Sequence, residues 1–139
     1  MSAETPTNRT ARFLEKRGIL MGNVERFVRQ AGPFGKRYDL FGFIDAIALY
    51  PKAVYGLQVT SDNNLRSRVA KILEERPNEC RAFLASGGRV EVWGWAKKGK
   101  AGERKLWVPR VEEVYVTRDG DLISAPVSDP GRFPRPRRR

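Results

Sequence analysis

Asp45 is the only charge in the nearly continuous apolar run from Phe41 to Leu49. An isolated carboxylate in such a place costs several kcal/mol unless something compensates it. The chain has no histidine and a single cysteine, Cys80. That excludes histidine general-base catalysis, Ser-His-Asp triads and histidine metal centres. It also argues against a disulfide scaffold or a cysteine zinc site. Any metal beside Asp45 is held mainly by oxygen, which points to Mg2+ or Mn2+. The bland alternative is a buried ion pair between Asp45 and Arg37.

The partners of Asp45 follow from register. Phe41 to Leu49 reads as a buried strand and Val54 to Thr60 as the next, with "YPKA" as the turn between them. With Pro51 and Lys52 at the centre of that turn, Asp45 lies opposite Gln58 and Phe43 opposite Thr60. Asp45, Gln58 and Thr60 then line one face. A one-residue slip would reverse the face. Pro51 does not suit a type I′ turn, so a four-residue loop with the same pairing is expected.

The formal net charge of +11 over 139 residues is the second signal. So basic a chain favours polyanions, of which nucleic acid is the commonest. The rival partner, an anionic membrane, finds no basic amphipathic helix and no run near 18 apolar residues. "MSAETPTNRT" lacks the apolar core of a signal peptide, so a cytoplasmic location is expected, or the host cytoplasm for a phage-encoded protein.

The remaining elements place these residues. Asn8 to Lys16 reads as a helix stopped by Gly18, and Ile19 to Val28 as a strand. Gln30 to Arg37 is a glycine-rich basic loop. A helix capped by Ser61 or Asp62 carries the stripe Leu65, Val69, Ile72 and Leu73. Pro77 starts a second helix, ended by Gly87 and Gly88. Arg89 to Trp95 and Lys105 to Val116 read as a hairpin, with Pro109 marking an edge or a bulge. Trp93 and Trp95 share a face suited to packing under a helix. "TRDGDL" is a turn. Residues 1–127 form one domain, and 128–139 form a basic tail expected to be disordered. The fold class is α/β, a mixed β-sheet flanked by helices in the order α-β-β-β-α-α-β-β.

Helix, three-stranded meander, helix, strand resembles the restriction-endonuclease-like core of the PD-(D/E)XK nuclease superfamily. "FGFIDAIAL" looks like its aspartate strand and "YGLQVTS" like the strand that follows. The nearest likeness is to the small Holliday-junction-resolvase-like and VRR-nuclease-like branches, common in phage and mobile-element genomes. The resemblance spans roughly Asn8 to Trp95. It implies a Mg2+- or Mn2+-dependent endonuclease acting on DNA, with Asp45, Gln58, Thr60 and Lys71 in the catalytic set. Asp45, the Gln58 carbonyl and Glu25 are the implied metal ligands. Gln58 stands where glutamate is usual and Thr60 where lysine is usual. Some members move that lysine to the next helix, where Arg66, Arg68 and Lys71 are the candidates.

Nucleic-acid contacts are assigned to Lys36, Arg37, Arg66, Arg68, Lys97, Lys98 and Lys100, and to Arg135, Arg137, Arg138 and Arg139 of the tail. A homodimer is a further expectation, because junction resolvases are dimers. The alternative is a nucleic-acid-binding module of the same fold with weakened or lost catalysis.

Overall fold

Thr5 and Pro6 begin the first helix: the Thr5 hydroxyl accepts from the Asn8 backbone N–H at 3.1 Å, and Pro6 sits where no helical N–H is needed. A computed structural model describes residues 4–132. α1 spans Pro6–Glu15 and leads through Gly18 into β1, Leu20–Asn23. β2, Arg26–Val28, and β3, Lys36–Tyr38, pair only with each other as a small ribbon. β4, Ala46–Tyr50, and β5, Ala53–Ser61, form a hairpin. One 3-10 turn then leads to α2, Leu65–Glu75, and to α3, Pro77–Ala85. β6, Arg89–Lys98, β7, Leu106–Val116, and β8, Leu122–Val127, complete the chain order.

The main sheet runs β1-β4-β5-β6-β7-β8. Every pairing is antiparallel except β5 with β6, the strands joined by the α2–α3 crossover. This is an α/β domain with a mixed six-stranded sheet. Its two faces carry separate cores. On one, Leu14 of α1 packs with Ala46, Ala48, Leu57, Val59, Trp93 and Trp95. On the other, Leu65, Val69 and Ile72 of α2 pack with Phe43, Ile44, Val90 and Val92, with Leu73 partly buried beside them. Among the described residues, no helix is long and apolar enough to cross a membrane.

Several expectations need correction. Ile19 to Val28 is not one strand. It breaks at Val24 and Glu25, whose N–H groups both turn to the Asp45 carbonyl, at 2.9 and 3.2 Å. The strand expected over Phe41 to Leu49 begins only at Ala46. Leu40 and Ile44 bridge each other around a tight turn, with Phe41 at φ 55° and Gly42 at φ 81°. Apolar residues here serve a turn, buried at Phe43 and Ile44 and exposed at Phe41, which hydropathy alone does not distinguish from a strand. The four-residue loop is replaced by a two-residue turn: Tyr50 pairs with Ala53, and Lys52 takes φ 66°. Proline followed by a residue at positive φ is the pattern of a type II turn.

β3 and β8 are additions to the expected element order, and β3 pairs with the broken-off end of the first strand, β2. Pro109 lies opposite Trp95, past the end of the β8 pairing at Val111, so β7 is an edge at that point. The chain also stays on the domain beyond residue 127. Gly131 is buried against Phe13, Leu14 and Arg17 of α1.

Candidate metal centre

The expected pairing across Pro51 and Lys52 holds along the whole hairpin, from Tyr50 with Ala53 to Ala46 with Leu57. One residue further, the β4 backbone leaves the ladder. The Asp45 N–H still donates to the Leu57 carbonyl at 2.8 Å. The Asp45 carbonyl, however, is taken by Val24 and Glu25, so the β5 N–H of Val59 needs another acceptor. The Asp45 side chain supplies it: Oδ2 accepts from Val59 N at 2.9 Å and from Gln58 Nε2 at 2.7 Å. Gln58 therefore turns its amide nitrogen, rather than its carbonyl, toward Asp45. Thr60 follows two residues on, on the Gln58 face of β5, and both are buried.

Two more carboxylates reach this point. Ligand oxygens of Glu25, Asp39 and Asp45 lie within 4.8 Å of one another. Glu25 is the residue before β2 and Asp39 the residue after β3. The same register that sets Arg26 against Tyr38 sets Glu25 against Asp39 at the foot of the ribbon. Arg37 pairs with Glu25 at 3.3 Å, not with Asp45. Among the described residues no cation pairs with Asp45.

The electrostatics follow. Burial pushes the Asp45 carboxyl up to about 7, helped by its hydrogen bond to Asp39 and by the charges of Asp39 and Glu25. The Val59 N–H acts in the opposite sense. A carboxylate cluster of this kind is balanced by a proton or by a divalent cation. With one carboxylate oxygen each within 4.8 Å of the others, Glu25, Asp39 and Asp45 are the residues that could hold such a cation.

The sheet also gathers basic residues at this end. β5 and β6 are parallel, so Lys97 and Lys98, at the end of β6, lie beyond the edge that carries Thr60. Lys36, Arg37, Lys97, Lys98 and Lys100 are all exposed. Arg66 is drawn elsewhere, to Glu112 at 3.2 Å, while Arg68 and Lys71 are half-buried on α2. Arg135, Arg137, Arg138 and Arg139 lie outside the described residues. On the opposite sheet face, Arg9, Arg12, Lys16 and Arg17 of α1 line a groove of about 350 Å3 with Phe13, Trp95 and Trp107. Arg9 covers the Trp107 ring at 3.6 Å, and Trp95 donates to Thr10 at 2.8 Å. The two buried tryptophans of β6 thus pack under α1, as their spacing predicts.

Asp39 is the residue that sequence reasoning missed. Its signal was an acid close to a glycine, six residues before Asp45, in the short stretch between the loop expected up to Arg37 and the strand expected from Phe41. No protein-family model matches the chain, and no curated protein or solved structure is significantly similar to it.

Proposed function

We propose that the chain is a small metal-dependent nuclease with a PD-(D/E)XK-like core, acting on DNA. The observation that carries this reading is the meeting of Asp45, Asp39 and Glu25 at the point where β4 leaves the sheet, against Gln58 and Thr60 of β5. The element order α1-β1-β4-β5-α2-β6, with β6 parallel to β5, supports the same reading.

In the proposed mechanism Asp45, Asp39 and Glu25 hold Mg2+ or Mn2+. The ion supplies Lewis acidity at the phosphate and an activated water. Asp45 is fixed by two hydrogen bonds, so it holds its position without reorganisation. Thr60 positions the water. Lys71, the one lysine of α2, is the proposed counterpart of a relocated lysine, and its task would be to face charge developing on the phosphate. Lys36, Arg37, Arg68, Lys97, Lys98 and Lys100 track the backbone, joined by the arginines of the tail. Arg66 contributes less, being tied to Glu112. The exposed apolar row Leu20, Leu49 and Val54, which pair in sequence across β1, β4 and β5, is where a second copy would pack in a homodimer.

One feature favours a second reading, a nucleic-acid-binding module without catalysis. Gln58 donates to Asp45, and so balances part of the charge that a metal would otherwise meet. The deciding experiment is strand cleavage of duplex, single-stranded and branched DNA with Mg2+ or Mn2+, by the wild type and by Asp45→Asn. Cleavage that needs both the metal and Asp45 supports the nuclease. Salt-dependent binding without cleavage supports the module.

A further inference from the structure

The β2–β3 ribbon joins the carboxylates to a surface of different character. Its two strands are almost wholly exposed. They carry Arg26, Lys36 and Arg37, and Arg29 stands at the start of the connecting loop. At the tip Phe34 is 92% exposed. The tip is held in that state by its own chain. Gly35 has φ 80°, and a Cβ there would lie 2.3 Å from the Phe27 ring. Phe27 thus packs on the α-carbon of Gly35, and the adjacent Phe34 side chain is left pointing away.

The ring contributes little to the fold in this position, and with Phe27 and Tyr38 also exposed it makes the ribbon an apolar as well as a basic surface. Cations on both strands give it a polyanionic setting. An anionic membrane fits less well, since membrane attachment scales with the apolar area inserted and the tip of this narrow ribbon offers little beyond the Phe34 ring. Nucleic acid fits both parts: phosphates on the cations, and a base step receiving the ring. A continuous duplex offers no open step without the cost of unstacking, whereas a fork or gap already does.

We infer that the ribbon is a substrate-reading arm, and that Phe34 enters an unstacked base step of branched or gapped DNA. This rests on the nuclease or DNA-binding reading above, and names its substrate class. Glu25 and Asp39 flank the arm, so its docking fixes the position of the phosphodiester relative to the acids.

The test uses the full chain, without divalent cations, on a DNA fork bearing 2-aminopurine at the branch point and on a matched continuous duplex. Wild type is expected to bind the fork more tightly and to change the 2-aminopurine emission. Phe34→Ala should lose about tenfold in fork affinity, and the emission change, while duplex affinity stays within twofold. Phe34→Trp should retain both. Phe34 is exposed, so these variants keep the fold. Equal fork binding by wild type and Phe34→Ala overturns the arm but leaves DNA binding standing. A loss shared equally by fork and duplex also overturns it, as a general contact. No binding to either DNA overturns both readings. A Phe34-dependent affinity for anionic vesicles, without preference for the fork, identifies a membrane contact and overturns the proposal.

Discussion

Gln58 presents its amide nitrogen to the Asp45 carboxylate at 2.7 Å, and the Val59 N–H meets the same oxygen at 2.9 Å. Asp45 therefore does two jobs. It completes the hydrogen bonding of β5 where the β4 backbone departs, and it presents its charge to Asp39 and Glu25. These jobs respond differently to substitution.

Gln58→Glu removes the donor and places a second buried carboxylate against Asp45. Without metal, it should destabilise the fold at neutral pH by about 1–3 kcal/mol, the cost of an unmet buried acceptor. With Mn2+ it should bind the ion more tightly than wild type and cleave faster. Urea unfolding with and without Mn2+ checks the first part. A variant as stable as wild type without metal would show that the Gln58 amide contributes nothing to holding Asp45.

Asp45→Asn keeps an oxygen for the Val59 N–H and removes the buried charge. Metal-dependent cleavage should be lost, and DNA affinity should change little, because it comes from many dispersed cations. Stability at pH 8 should hold or rise, since none of the described cations pairs with Asp45. A fall of about 3–5 kcal/mol, the cost of breaking a buried pair, would identify Asp45 as a structural charge instead.

The pH dependence has a definite sign. The Asp45 carboxyl is raised from 3.8 to about 7, so the folded chain keeps a proton that the unfolded chain releases. Its contribution to stability is full below about pH 4 and is lost as pH rises through about 7, by at most about 4 kcal/mol. Mg2+ or Mn2+ favours the charged form, so the rise in melting temperature on adding the ion should be larger at pH 8 than at pH 5.5. An equal rise at both pH values would place the ion elsewhere.

DNA binding should weaken steeply with salt, by a slope of about 0.9 per phosphate contact. Truncation after Arg132 should flatten that slope and leave the melting temperature unchanged. Truncation after Pro126 should also lower the melting temperature. It removes Val127, which pairs with Val111, and Gly131, which packs on α1. Calorimetry on the two truncations separates the effects.

The pairing of Asp45 with Gln58 was legible because a hairpin's register follows from where its turn is centred, and proline marked the turn. The α2 stripe and the tryptophan pair were legible because period fixes the face a side chain takes. The ribbon was not, since three-residue strands rich in arginine carry no alternation. Asp39 was hidden for a related reason. Its approach to Asp45 depends on Phe41 and Gly42 both adopting positive φ, and Phe41 gives no sign of that in the sequence. Gly131 shows that a glycine can be held by packing with no apolar pattern to announce it.

The parallel pairing of β5 with β6 has a kinetic consequence. β1, β4 and β5 close through antiparallel neighbours, and so do β6, β7 and β8. Their union requires the long crossover through α2 and α3, the contact of greatest loop-closure cost. Docking of β6 is thus the expected slow step of folding. Gly94 lies at that seam, opposite Thr60, where a Cβ would come within 3.1 Å of the Asp62 backbone and of the Leu65 side chain. A side chain at that position would press on the start of the crossover where the two halves meet, so the bare backbone of Gly94 is what lets them close.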